Sequence, residues 1–538
     1  MKRLIPALAL GLGSCIAAQA QLYIDNATFF IETGATVTVQ GDLTSNVSIQ
    51  GPGKILLKGS VLQNVNMNNG GAVTNAYAIP NLEIDNAANV NLTGNAKVAT
   101  NLTFTNGKIL AGNFNFVLAN GATVTTPGAS KFIETNGTGF AQRELTAASS
   151  NLLLPVGVGT SYTPISLSHA SGTYGATSLI GAQAKLARSP NSHIRTESHT
   201  NAYWPVASTN ITGGTLTGIG TYNDPGFTGI ESEIRGMSFN GTEWTLTGGN
   251  QDVALNTVTG SLTGVTSGQV FGMNRFLLMN SKALLQGANP VAGVMSEALR
   301  VAPTVLPTTE PYRSAPYSFT TYNGGTQEVA AAAVFNDLGN NNNIVDWVFV
   351  ELRAGATSGT AIPLQTRSAL IQRDGDIVDM DGISPLYFKN ENSGDYTITV
   401  RHRNHLPIST NNTASFFKNL TLSGSTSSLD FTTLAAGNVL GTANTNYLNS
   451  GGFNIMYAGN ANFNSNIRYA GIANDKDYLL SAVLGSNQGL ILSNVYNQGD
   501  LNMNKTVRYS GISNDKDFLL STPLSSNQAT IKLQIIPN

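Results

Sequence analysis

The sequence predicts an all-β protein: an N-terminal β-solenoid-like region, two β-sandwich domains and a duplicated C-terminal module. Three observations carry this. Charged residues are only 11% of the chain against 41% hydrophobic, well under the ~25% charge of ordinary soluble domains, so Asn, Thr, Ser and Gly must cover the surface, a composition suited to strands and polar turns. Apolar residues recur at period two between Asn-Gly and Gly-Asn turns, and no stretch carries a long amphipathic-helix pattern. The last hundred or so residues repeat themselves.

The 538 residues predict roughly three to five domains. Residues 1–20 read as a secretory signal peptide: Lys2 and Arg3, an apolar run from Leu4 to Leu12, then Ala18-Gln19-Ala20. A competing reading is lipidation at Cys15 in Leu12-Gly13-Ser14-Cys15. The chain has 29 basic and 31 acidic residues, and losing Lys2 and Arg3 leaves 27 basic. Cys15 is the single cysteine, so the mature chain has no disulfide, and its stability must come from large sheets, repeats or bound ions. With no basic patch the chain is not expected to bind nucleic acid. No later apolar run approaches the ~20 residues of a transmembrane helix. The expected location is extracellular or on the outer cell surface.

Over 21–144, Val37, Val39, Leu43, Val90, Leu92, Leu102, Phe104, Phe114, Phe116 and Leu118 alternate in short segments. Short, evenly spaced strands suggest a solenoid whose rungs complete their core by stacking, with a two-sheet sandwich as the alternative. Over 145–282 the strands lengthen and enclose Trp204 and Trp244, which read as core anchors rather than sugar platforms. Residues 283–311 end in a Pro-rich stretch and read as a linker. A second sandwich is expected over 312–434, with Trp347, Phe349 and Glu351 facing one side of a central strand and Val348, Val350 and Leu352 the other.

The final region, 435–538, holds the repeat. Asn460, Asn462, Asn464 and Asp477 align with Asp500, Asn502, Asn504 and Asp517 at an offset of 40 residues. Oxygen-bearing side chains at i, i+2 and i+4 are the spacing with which a loop wraps Ca²⁺, a hard ion that takes six to eight oxygens. In the second copy Asp500, Asn502, Asn504 and the Thr506 carbonyl begin such a shell, and Asp515 and Asp517 close it. In the first copy Asn460, Asn462 and Asn464 begin it and Asp475 and Asp477 follow, one carboxylate fewer. Calcium is therefore expected as a structural cofactor, weaker in the first copy. The opposing reading is that Asn-rich turns satisfy their own backbone.

Residues 459–538 resemble the paired dockerin-like repeats that end many hemagglutinin-like surface proteins of gliding, type IX-secreting bacteria. Those repeats read D-x-N-x-D-G-x-V-K-Y, then N-D-R-D; here stand Asp500-Leu501-Asn502-Met503-Asn504, Val507-Arg508-Tyr509 and Asn514-Asp515-Lys516-Asp517. Asn504 and Asn460 depart from the usual Asp. Upstream, the strand from Asp346 to Arg353, the run Gln372 to Val378 and Val400-Arg401-His402-Arg403-Asn404-His405-Leu406 are similar to the domain that precedes the repeats in that group. Leu152 to Val158, Tyr162-Thr163-Pro164 and Trp204 are similar to its middle domain. The resemblance implies a secreted or surface-anchored, adhesin-like architecture; "hemagglutinin" names a class, not an activity.

Other clusters read as structural. Asp374, Asp376, Asp379 and Asp381 repel unless paired, and Arg353, Arg373, Arg401 and Arg403 are the expected partners against a bridging cation. His402 and His405, if on a strand, point to opposite faces, and no third ligand stands nearby, so a transition-metal site is not expected. The solenoid carboxylates Asp25, Glu32, Asp42, Glu83, Asp85 and Glu134 are too scattered for a glycosidase or lyase cleft. No nucleophile elbow or phosphate loop exists, so no enzyme is expected. The leading expectation is a non-catalytic adhesin-like structural protein that attaches to cell-surface or matrix components, glycans among them, through multivalent contacts. The alternatives are a self-associating extracellular fibre or sheath subunit and, third, a carbohydrate-binding or polysaccharide-degrading protein.

Overall fold

The computed structural model describes residues 20–67, 77–193, 195–246, 251–264, 266–323, 327–354, 362–391, 394–411 and 427–537. The leader expected over 1–20 falls almost wholly outside them. Strands make up 45% of the chain and helices 6%, and two compact units form, Met1–Asn274 and Arg275–Asn538.

The first unit opens with a β-solenoid of about six turns. Parallel strands stack in register: Thr36–Val39 on Lys54–Leu57, on Ala78–Asp85, on Ala96–Asn106. Alternation then sorts the side chains. Leu82 and Ile84 enter the core, where Leu82 stacks on Ile55 and Leu102, while Asn81, Glu83 and Asp85 face out. A second parallel sheet carries the column Val90, Ile109, Ile133 and Val156. At one corner two buried amides close the ring. Gln63 Nε2 donates to the carbonyls of Val39 and Gly41, and Asn86 Nδ2 donates to the Val61 carbonyl and to Gln63 Oε1. Outward carboxylates pair with the neighbouring rung, Glu83 with Lys54 at 2.6 Å and Asp85 with Lys58 at 2.8 Å.

The solenoid has no separate boundary at 144. Strand Ala141–Leu145 pairs in parallel with Phe116–Leu118 and antiparallel with Thr173–Ala182. One 13-stranded sheet therefore runs from the solenoid through His199–Thr212, Ser267–Asn274 and Ile234–Phe239. Against it lies a five-stranded antiparallel sheet that includes Ile165–Ala170, Thr215–Thr221 and Thr257–Thr263. Trp204 fills the space between, fully buried, with its indole N–H donated to the Thr163 carbonyl; Trp244 is also buried. Both tryptophans are core anchors. Gly220 makes room for the first, since a Cβ there would sit 2.5 Å from Trp204 Cε3. Gly220→Ala is expected to cost about 1–3 kcal/mol, read as a lower urea midpoint; an unchanged midpoint would mean that Trp204 can shift aside.

In the second unit, Ile344–Ala354 is the central strand, hydrogen-bonded to Pro363–Gln372 and Tyr396–Arg401 and buried along almost its whole length on both faces. Two boundaries differ from the sequence expectation. Phe276–Lys282, expected at the end of the second region, pairs with Leu386–Lys389, Asp376–Val378 and Ser427–Asp430 and belongs to this unit. The stretch 283–311 is not a linker: Leu284, Leu285, Met295, Leu299 and Leu306 are buried in the core. Its prolines masked apolar residues too widely spaced to read as an element. Residues beyond 434 feed the same core through Tyr447, Ile455, Met456 and Met503. Among the described residues no helix is long and apolar enough to cross a membrane.

Candidate functional site

The two copies fold alike. Each runs from an Asn/Asp-rich loop through a short strand to a helix, α1 (Asp475–Tyr478) and α2 (Asp515–Ser521). The strands, Asn466–Arg468 and Thr506–Arg508, pair antiparallel with Ile531–Leu533 and Ile491–Ser493 respectively. The helix starts explain part of the Asn and Asp content. Asn474 and Asn514 are N-caps whose side-chain oxygens accept the amides of Asp477 and Asp517, and Asp477 and Asp517 accept back from the cap Nδ2 groups at 2.7 Å, a side-chain pairing that holds each cap in place. Asn514→Ala is expected to cost about 1 kcal/mol and Asn514→Asp much less. Thermal melts check this; an alanine variant as stable as the parent would show the cap to be idle.

At the centre of each copy stands a buried carboxylate. Asp515 Oδ1 accepts the Leu501 amide at 2.8 Å and Oδ2 the Arg508 amide at 2.9 Å. Asp475 does the same with Ala461 and Arg468, at 2.9 Å each. Each thus ties the loop start to the strand. Burial outweighs these bonds, pushing Asp475 up to about 7 and Asp515 well above the usual carboxylate range, the latter with help from Asp500. Asp500 is also buried, accepts the amides of Asn504 and Lys505 at 2.9 Å and is raised by burial to about 6. Two carboxylates therefore share the second loop.

Of the residues expected to ligate, the structure gathers some and scatters others. Asp500, Asn502, Asn504 and Asp515 converge on one loop, as do Asn460, Asn462, Asn464 and Asp475 on the other. Asn504 and Asn464 present Oδ1 to the amides of Thr506 and Asn466, so part of the oxygen supply serves the turn itself. Asn502 and Asn462 anchor Nδ2 on the carbonyls of Ser513 and Ala473. Asp477 and Asp517 do not join the loops: their side chains are 61% and 65% exposed and pair with Lys476 and Lys516. Thr506 donates its amide to Asn504 on the outgoing strand. Two oxygens have no hydrogen-bond partner in their buried surroundings, Asn460 Oδ1 and Asn502 Oδ1. Asn460 is 5% exposed, and its Nδ2 is engaged with the Asn464 carbonyl at 2.9 Å.

Sequence reasoning missed the joint that holds both loops. The strand Tyr396–Arg401 ends before His402, so strand alternation does not separate the two histidines. Their rings cross at a centroid distance of 4.6 Å with Nδ1 atoms 2.8 Å apart. His405 Nε2 accepts the Gly287 amide at 2.9 Å, so its proton lies on Nδ1, between Asn404 Oδ1 and His402 Nδ1, each 2.8 Å away. His402 therefore carries its proton on Nε2 and donates it to Asp346 Oδ2 at 3.0 Å. Burial lowers both histidines, His405 most strongly. Arg403, fully buried, donates Nε to Asp346 at 3.0 Å and Nη1 to the Asn497 carbonyl. Burial raises Asp346, but Arg403 and His402 outweigh it and hold the carboxyl at about 2. Asn404 reaches both loops. Its carbonyl accepts the amides of Gly459 and Asn460 at 2.9 and 3.0 Å, and its Nδ2 donates to the Asp500 carbonyl at 2.8 Å. A single signal was available in the sequence: charged and polar residues in Arg401-His402-Arg403-Asn404-His405, too dense for a strand in a core.

The Asp374 cluster is paired, though by other partners than expected. Lys282 bridges Asp374 and Asp376 at 3.1 Å each, Arg367 holds Asp379 at 3.0 Å, and Asp381 caps the amides of Ile383 and Ser384. Arg353 and Arg401 serve Glu351 instead. Among the described residues no three His, Cys, Asp or Glu side chains gather into a metal-binding group, so a cation in either loop would rest largely on amide and carbonyl oxygens. No family model, curated protein or solved structure matches the chain.

Proposed function

We propose that this chain is a non-catalytic, exported, adhesin-like surface protein of the hemagglutinin-like class, attaching to cell-surface or matrix glycans and proteins through broad polar β-faces. In this reading the paired sheets of the first unit are a β-sandwich, the sheet of the second unit a further one, and the C-terminal copies dockerin-like repeats. The observation that carries it is the outward face of the five-stranded sheet. There Ser168, Thr217 and Ser261 form one row across three strands, flanked by Ala170, Thr215 and Thr263 on one side and by Ser166, Ile219 and Thr259 on the other, without a lysine, arginine or glutamate. Thr215 meets Thr263 at 3.0 Å and Thr217 meets Ser261 at 2.7 Å. A flat, uncharged face rich in hydroxyls suits many weak contacts summed by multivalency.

Calcium belongs to this proposal as a stiffener of the repeats. Two buried carboxylates and an orphaned Asn502 oxygen in the second loop, with an orphaned Asn460 oxygen in the first, fit a hard oxygen-seeking cation. The ion would be held by Asp500, Asn502, Asn504 and Asp515, and more weakly by Asn460, Asn462, Asn464 and Asp475. It would neutralise carboxylates that, among the described residues, form no ion pair with a lysine or arginine. The test is adhesion of fluorescent beads, coated with the full chain, to a glycan array and to cells. Binding that falls when Thr215, Thr217, Thr259 and Ser261 are replaced together by lysine supports the reading. Retention of full binding by that variant, or release of sugar from polysaccharides by the parent, overturns it.

A further inference from the structure

Resting on the calcium reading above, we infer that the two repeat loops are coupled sites, linked through Asn404. The geometry is reciprocal. The Asn404 carbonyl takes the amides of Gly459 and Asn460, the entry to the first loop, while its Nδ2 takes the Asp500 carbonyl and, at 3.3 Å, the Gln498 carbonyl, the entry to the second. One residue therefore grips the first ligand position of both loops, from opposite sides of its own peptide.

Asn404 has little freedom to absorb a change at either end. It is fully buried, its Oδ1 lies 2.8 Å from His405 Nδ1, and His405 is itself pinned to Gly287. Arg403, next in the chain, is fixed to Asp346 and to the Asn497 carbonyl. Gly287 sits so close that a Cβ there would lie 2.4 Å from the Leu501 carbonyl oxygen. An ion that draws Asp500 inward moves the Asp500 carbonyl and pulls on Asn404 Nδ2. That strain passes to the carbonyl that holds Gly459 and Asn460. Ordering one loop in its ion-bound form thus removes part of the ordering cost of the other, which is positive coupling. Because the first loop has an amide where the second has Asp500, the second fills first and prepares the first.

The coupling is one free energy shared by the two loops, and the loop that fills second shows it in its affinity. Calorimetric titration of CaCl₂ into the full chain is compared with Asp475→Asn, which disables the first loop, and Asp515→Asn, which disables the second. In Asp515→Asn the first loop is expected to bind about fivefold to tenfold more weakly than in the parent, whereas in Asp475→Asn the second loop, which fills first, keeps the affinity of the parent's first step. In the Asp475→Asn variant, calcium should still raise the hydrogen-exchange protection of the Gly459 and Asn460 amides, which a purely local site would not do. Asn404→Ala should remove the coupling; the two single-loop variants carry the test without it if it fails to fold. An unchanged first-loop affinity in Asp515→Asn, or unchanged protection at Gly459 and Asn460, overturns the inference while leaving calcium binding intact. A parent that binds no calcium at all overturns the calcium reading and this inference together.

Discussion

Asp346→Ala is expected to lower the unfolding free energy of the second unit by about 3–5 kcal/mol, because it strands a buried guanidinium. Asp346 is fully buried and accepts Arg403 Nε, His402 Nε2 and the Tyr496 hydroxyl at 3.0, 3.0 and 2.7 Å. Arg403 is equally buried and already has Nη2 without a partner. With the carboxylate gone, its remaining support is the Asn497 carbonyl and the face of Tyr496, 4.7 Å from ring centroid to guanidinium carbon. The loss is larger than that of an ordinary hydrogen bond, ~1 kcal/mol, because a charge is left in a dry site. Adding Arg403→Met should recover much of it, since an apolar side chain of similar length no longer needs the carboxylate. Urea midpoints of the two variants decide the matter. A single-variant loss below about 1 kcal/mol would mean that water reaches Arg403.

The second large effect is one of pH and calcium together. In chelator, stability should fall as pH rises from about 6.5 to about 7.5, and millimolar calcium should abolish the fall. Asp475 at about 7 and Asp515 well above its usual value hold protons in the folded chain that the unfolded chain has lost above ~4. Raised folded values stabilise at low pH, and that contribution is lost as pH climbs through them, by up to ~1.4 kcal/mol per pH unit for each group. His402 and His405 act in the opposite sense. Burial lowers them, so they weaken the fold as pH drops below ~6.5 and are silent above it. Below about 6.5 the two sets oppose each other; above it the carboxylates stand alone. Urea titrations at three pH values in this window, with and without calcium, test the sign. Parallel lines in the two conditions would exclude the loops as cation sites.

Much of this was legible from sequence, where local period and local chemistry agree. Leu82-Glu83-Ile84-Asp85 alternates in the text and in the rung, because a solenoid strand has one wet face. Trp347-Val348-Phe349-Val350 reads as central because both faces are apolar. The repeat announced its loops because oxygens at every second residue serve a tight turn whether or not an ion sits in it. What could not be read were contacts made at a distance. Phe276–Lys282 looks like the last strand of the preceding region, and only its pairing with Leu386–Lys389 assigns it to the next. Asp517 and Asp515 are indistinguishable in N-D-K-D; a helix start turns one to solvent and the other inward. His402 and His405 meet because the strand stops at Arg401, a boundary set by Asp346 and by the loops, not by the five residues themselves.

The sheet that passes without a break from the solenoid into the antiparallel strands bears on growth by stacking. Among the described residues Leu22–Ile24 and Thr36–Val39 have a neighbour on one side only, whereas the opposite end is closed by Thr173–Ala182 against Ala141–Leu145. A filament that lengthens by joining rung to rung needs a donor end and an acceptor end on every subunit. Here the last parallel rung of the larger sheet is already covered by the chain's own antiparallel strand, while the smaller sheet ends in the short strand Ser161–Tyr162. The continuation into antiparallel pairing thus gives the two ends of the solenoid different edges, one of parallel rungs and one covered by antiparallel strands.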